Sequence, residues 1–154
     1  MLLLGAMACG PAHAADPKSL ALPQFGLIDA MRELSSEEAR RETDRRLALV
    51  GAELARQLEA RGMYRVLESS HEPLGCNGCE IDAAKALGAE RVALCWVQKV
   101  SNLILNLNIE VKSVASGETV YAKSVDIRGN TDESWMRGVR RLVDNIEERT
   151  HHLR

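Results

Sequence analysis

Aromatic residues are scarce in this chain: Phe25, Tyr64, Trp96, Tyr121 and Trp135 make up 3% of its 154 residues. A surface that stacks bases needs aromatic rings in series, so a nucleic-acid platform is poorly supported. An excess of one charge is missing as well. The 20 Lys and Arg stand against 22 Asp and Glu with both signs interspersed, which gives neither a basic field for phosphate nor an acidic tail. Histidine occurs only as His13, His71, His151 and His152, so no Ser-His-Asp or Cys-His pairing can be assembled. Glycine-rich phosphate loops and paired-carboxylate motifs are absent too. No catalytic residue, no metal and no cofactor is therefore expected.

Long apolar runs are missing beyond the first ten residues. Met1-Leu-Leu-Leu-Gly-Ala-Met-Ala-Cys-Gly10 is apolar but shorter than the roughly 20 residues that span a bilayer. It meets Pro11-Ala-His-Ala14, a small-residue Ala-x-Ala pattern ahead of Asp16-Pro17, and reads as a signal peptide over residues 1–14. The expectation is an exported, periplasmic chain with no transmembrane segment after cleavage. No Lys or Arg precedes the run, which leaves open a start upstream of Met1. Lipid attachment at Cys9 is the lesser reading, because Ala6 stands where a lipoprotein signal carries Leu.

What remains has the length of one domain and a 45% hydrophobic content sufficient for one core. Residues 15–23 carry two prolines and no periodicity and are assigned to a linker. A first strand is expected over Gln24–Ala30. Ser35 and Ser36 with Glu38 resemble a capping box opening a long helix. Leu47, Val50, Leu54 and Leu58 line its apolar face, and Gly62 closes it as a left-handed cap. Met63–Glu68 reads as a strand and Ile81–Gly88 as a short helix.

From Arg91 the period becomes two. In Leu103–Lys112 every odd position is apolar, and from Asn106 the even positions are Asn, Asn, Glu and Lys, the alternation of a strand with one buried face. Flanked by Val92–Val100 and Val120–Arg128, it predicts a three-stranded antiparallel meander. Trp135, Val139, Leu142, Val143 and Ile146 then form the stripe of a last helix. The fold class is α/β (α+β): β-α-β-α, a meander, and a C-terminal helix packed on one sheet. The domain is set at residues 24–149, with 150–154 a frayed tail.

The segment Ala86-Leu-Gly-Ala-Glu-Arg-Val-Ala-Leu-Cys-Trp-Val-Gln-Lys-Val, continued by Asn106–Val120 with its Ser116-Gly-Glu turn, resembles the TolB amino-terminal and CsgG group of envelope proteins. Ser116 replaces the Thr of that group's Val-x-x-x-Thr-Gly-Glu turn. Trp96–Asn102 and Asp126–Trp135 more narrowly resemble an uncharacterised family of small secreted proteobacterial proteins, associated with quinoprotein alcohol oxidation. The resemblance implies a periplasmic module that docks on other envelope proteins, with a quinoprotein dehydrogenase system as one such partner, and does no chemistry.

Two constellations stand out. Cys76-Asn-Gly-Cys79 can close a disulfide, act as a redox pair or supply half of a metal site. In an oxidising compartment the disulfide leads. Its ring of about four residues is worth only about 2 kcal/mol, so it would fix a loop. Redox activity would need the amino terminus of the helix near Glu80, and a thioredoxin-like context is missing. For zinc, His71, Glu72 and Cys95 are the further candidates, but Cys95 sits in an apolar strand. Glu80 follows the second cysteine where a c-type haem needs His. The thiol-disulfide or metal-handling reading is the alternative to a docking domain.

The second constellation is Asp126, Arg128, Asn130, Asp132, Glu133 and Trp135. It is either a partner or ligand surface or a capped helix start, with the acids at the positive helix end, Arg128 pairing one of them and Trp135 packed under the sheet. Gln98, Lys99, Asn106 and Asn108 give the other face of the meander a neutral polar character suited to a partner or to water.

Overall fold

A computed structural model describes residues 16–74 and 76–152, without the side chains of residues 151 and 152. The expected signal peptide, including Cys9, lies outside the described residues. Five parallel and antiparallel neighbours form one sheet in the order β3-β1-β4-β5-β6, made of β1 (Ser19–Pro23), β3 (Arg65–Ser69), β4 (Arg91–Lys99), β5 (Ile104–Ser113) and β6 (Thr119–Arg128). A short β2 (Gly26–Ile28) pairs with β4 beyond the end of β1. The helices are α1 (Glu37–Ala60), α2 (Cys79–Ala86) and α3 (Asp132–His152).

Residues 19–23, assigned to a linker from their prolines, instead form β1, buried at all five positions between β3 and β4. The reason is that β1 runs parallel and is covered on both faces. Such a strand reads as a short apolar run without alternation, here Leu20-Ala-Leu-Pro23. Pro23 is tolerated because it ends the strand. The single strand expected over Gln24–Ala30 is the remnant β2, and the domain begins before residue 24. At the other end α3 continues through His152, so residues 150–152, expected to fray, are helical.

Helix α1 begins at Ser36, whose Oγ accepts from the Ala39 amide at 3.2 Å. Glu38 therefore sits one position short of the capping-box place. The helix ends in a Schellman motif: Gly62, at φ +65°, donates to the Glu59 carbonyl, and Met63 donates to that of Leu58.

Period two decides the rest. Ala93, Cys95 and Val97 of β4, Leu105, Leu107, Ile109 and Val111 of β5, and Val125 and Ile127 of β6 all point to one side. There they meet Leu47, Val50, Leu54 and Leu58 of α1 and Trp135, Val139, Leu142, Val143 and Ile146 of α3. Gly138 lets α3 approach closely, since a Cβ there would stand 2.8 Å from the Ile127 side chain. On the opposite side a smaller cluster of Ala21, Ala84, Ala89, Val92 and Val114 packs under α2.

Leu107 and Ser124 lie on adjacent strands but opposite faces of this sheet. Leu107→Ala is expected to cost about 2–5 kcal/mol, whereas Ser124→Ala, on the exposed face, should stay within about 0.5 kcal/mol. Urea denaturation midpoints of the two variants check this; equal costs would contradict the facing.

Candidate functional site

The residues singled out between the last strand and last helix divide into two places. Thr131 caps α3 reciprocally: its Oγ1 accepts from the Ser134 amide at 3.2 Å, and its own amide donates to Ser134 Oγ at 3.0 Å. Asn130 Oδ1 accepts from the fully buried Trp135 indole at 3.0 Å and from Arg46 at 3.2 Å. Asp132 receives Arg45 at 2.6 Å and Arg46 at 2.8 Å. These three residues form a joint that fastens the start of α3 to α1, with Arg45 and Arg46 from α1 in the role expected of Arg128. Glu133 points outward and pairs with Arg137 along its own helix.

Asp126 and Arg128 lie elsewhere, on the face of β6 opposite the core, where Asp126 accepts from Asn106 and Arg128 stands opposite Ile104. That face is the second place of interest. Beyond the reach of α2 the meander presents Leu94, Trp96 and Gln98 of β4, Asn106, Asn108 and Glu110 of β5, and Ala122, Ser124, Asp126 and Arg128 of β6. Among the described residues no helix covers this half of the sheet. Trp96, half-buried, lies in register with Asn108 and Ser124 at its middle. Lys99, grouped with this face in the sequence, is turned to the helix side, where it pairs with Asp29 at 3.4 Å. Its odd position in β4 dictates that.

The cysteine pair sits in the passage from β3 into α2. Cys76 and Cys79 are disulfide-bonded, with Cα atoms 5.7 Å apart. Cys79 is the first residue of α2 and Gly78 precedes it at φ +91°. As the strand and helix read from the sequence place it, the pair occupies a strand-to-helix turn, and the strands on either side of that turn, β3 and β4, both run parallel to β1 between them. Glu80, which sequence reasoning did not count as a functional residue, is 2% exposed. Its Oε1 accepts from Lys112 at 2.9 Å, and its Oε2 accepts from the Gly78 amide at 3.0 Å and stands 3.6 Å from Cys76 Sγ. Burial alone would raise this carboxyl, but Lys112 and the backbone amides outweigh it and hold it below the usual carboxylate range.

Ligand atoms of Cys76, Cys79 and Glu80 lie within 4.8 Å of one another, but the bridged sulfurs are not thiolates, and even reduced the set would be one donor short of a structural zinc site. The other candidates are placed apart. Cys95 is buried on the helix side, its thiol pushed up by burial. Glu72 is exposed. His71 uses both ring nitrogens: Nε2 lies 2.9 Å from the Ala93 carbonyl, which can only accept, and Nδ1 lies 2.7 Å from Ser69 Oγ. The ring thereby fills the gap in the ladder between β1 and β2 beside β4. It borders an open cleft of about 800 Å³ at the carboxyl ends of β1 and β3, lined by Gln24, Phe25, Ser70 and Glu72 among others. Crossovers from these two strands leave to opposite faces, α1 to one and α2 to the other, the usual place of a crevice in such sheets.

Together the fold and these features define a small α/β domain with one sheet face sealed by two helices and the other partly open. A family model described as "Protein of unknown function (DUF2380)", under the name DUF3280, matches residues 18–146, and the chain belongs to that family. The match takes in β1. A comparison with curated proteins gives no match. Among solved structures the chain is similar in fold to the PelC dodecamer from Paraburkholderia phytofirmans, at TM-score 0.59 and 13% identity over 90% of this chain and 93% of that one. Slighter likenesses are to the LpoB C-terminal domain from Salmonella enterica, at TM-score 0.47 and 15% identity over 75% and 86% of the two chains, and to lipoprotein GNA1162 from Neisseria meningitidis, at TM-score 0.44 and 15% identity over 84% and 95%.

The joint between α1 and α3 gives a pH signature. Hydrogen bonds from Arg45 and then Arg46 hold the Asp132 carboxyl below its ordinary value of 3.8. A depressed folded value means that its stabilisation is complete above the ordinary carboxylate range and is lost as pH falls through the folded value. Asp132→Asn removes that contribution. Its stability should therefore fall less steeply than wild type between about pH 6 and about pH 3, as read by urea midpoints at each pH; identical slopes would contradict the assignment.

Proposed function

We propose that this domain is a non-catalytic accessory module of the periplasm or cell envelope that docks on another exported protein through the open face of the meander. One observation carries the reading: the half of the sheet left uncovered by helices has Trp96 beside the neutral polar side chains of Gln98, Asn106, Asn108 and Ser124, with Leu94 next to it and the charged Glu110, Asp126 and Arg128 around them. Interfaces tend to this composition, with an aromatic anchor, few charges at the centre and a polar rim. Export rests on the leader pattern of residues 1–14, and the resemblance to TolB-type envelope domains suggests the same setting. The fold shared with PelC is compatible with it. An exported oxidoreductase, of the quinoprotein dehydrogenase kind, is the partner class that the narrower family resemblance favours.

In-cell photo-crosslinking from position 108, compared with the exposed Ala48 on the outside of α1, tests the reading. The expected result is a discrete product with a different protein from position 108 only, lost in Trp96→Ala, because truncating an aromatic anchor costs about 2 kcal/mol or more, about 30-fold in affinity. Products from both positions alike, or only between copies of this chain, would contradict it.

A further inference from the structure

The Cys76–Cys79 bridge has a neighbour that a loop staple does not need. Glu80 is nearly inaccessible, and a buried carboxylate is costly unless it is paired and hydrogen-bonded. Its two oxygens are differently employed. Oε1 is held by the Lys112 ammonium at 2.9 Å, while Oε2, oriented by the Gly78 amide, faces Cys76 Sγ at 3.6 Å. Cys79 opens α2 and is exposed, whereas Cys76 is half-buried against the carboxylate. One sulfur is thus presented to solvent at a helix amino terminus, where a thiolate is favoured. The other is presented to a base.

From this geometry we infer that Cys76 and Cys79 form a thiol-disulfide exchange site with Glu80 as its proton acceptor, acting on a dithiol of another molecule. In reduction, an incoming thiolate attacks Cys79 Sγ and the S–S bond breaks. Its electron pair leaves on Cys76 Sγ, which takes a proton delivered from water through Glu80 Oε2. The incoming group's second thiol, after losing its proton to water, then attacks its own sulfur in the mixed disulfide and releases Cys79. Two electrons pass from the dithiol, which becomes a disulfide. In the opposite sense, Cys76 gives its thiol proton to Glu80 Oε2 and attacks Cys79 in the mixed disulfide, expelling the external thiol as thiolate. Lys112 keeps Glu80 ionised between turnovers and so ready to accept. The inference stands independently of the docking face, since it uses none of that face's residues.

The test follows the mixed disulfide between Cys79 and glutathione in the full chain. It is formed from the reduced protein with oxidised glutathione, quenched by alkylation at intervals, and read by mass on the tryptic peptide Val66–Lys85. In wild type, bridge and dithiol should both be populated across buffers of varied glutathione ratio. Glu80→Gln should slow closure of the bridge by about tenfold or more at neutral pH, where only a few per cent of an unassisted thiol is ionised. The difference should vanish above about pH 8.5, where a thiol ionises unaided. Glu80→Asp should recover part of the rate. Lys112→Met keeps the carboxylate but raises its proton affinity, so the acid limb of the rate profile should move to higher pH, and this variant decides the matter if Glu80→Gln fails to fold. A bridge that stays closed in every glutathione buffer, or a Glu80→Gln or Lys112→Met profile identical to wild type, would overturn the proposal.

Discussion

The alternation of β5 is the constraint on which the rest of this molecule depends. Leu105, Leu107, Ile109 and Val111 are each at most 1% exposed, and their even neighbours Asn106, Asn108 and Glu110 cannot share that environment. A register slip of one residue would exchange the two sets, so the pairing with β4 and β6 is fixed by burial. With the register fixed, α1 and α3 must both lie on the odd side. Their apolar stripes have no other surface to meet. The arginines of α1 then reach Asn130 and Asp132, and the indole of Trp135 is closed into the joint.

The same constraint accounts for the open side. Among the described residues only α2, a helix of eight residues, packs there, and it covers the parallel half of the sheet where Ala21, Val92 and Val114 meet Ala84. The meander's other half is left with one large ring, Trp96, and mostly polar side chains around it. Lys112 lies at the border between the halves and ties α2 down through Glu80. The disulfide turn and the open face are therefore neighbours in architecture though separate in chemistry: one is organised by a buried ion pair, the other by residues that the core has no use for.

Much of this was legible because periodicity is a local property. The meander, the long helix with its Gly62 stop and the apolar stripe of α3 all follow from spacing over windows of ten to twenty residues. β1 was not legible, since a strand buried on both faces carries no alternation and Pro17 and Pro23 give it the composition of a linker. Likewise the division of the polar set at residues 126–135 depended on which face each β6 residue takes. That is decided by pairing with β5, a partner some twenty residues away. Glu80 was overlooked for a related reason. A glutamate in the first turn of a helix is ordinary by sequence, and only the fold brings Lys112 of β5 to its side.

Two tryptophans on opposite faces of one sheet offer the most direct measurement. Hydroxyl-radical footprinting would be carried out on the purified chain and in intact cells, reading oxidation of Trp96 and Trp135 separately. Trp135, fully buried in the joint, should be protected in both settings. Trp96 should be oxidised in the purified chain and protected in the cell, as the proposed docking on the open face requires. Equal oxidation of Trp96 in both settings would contradict the account.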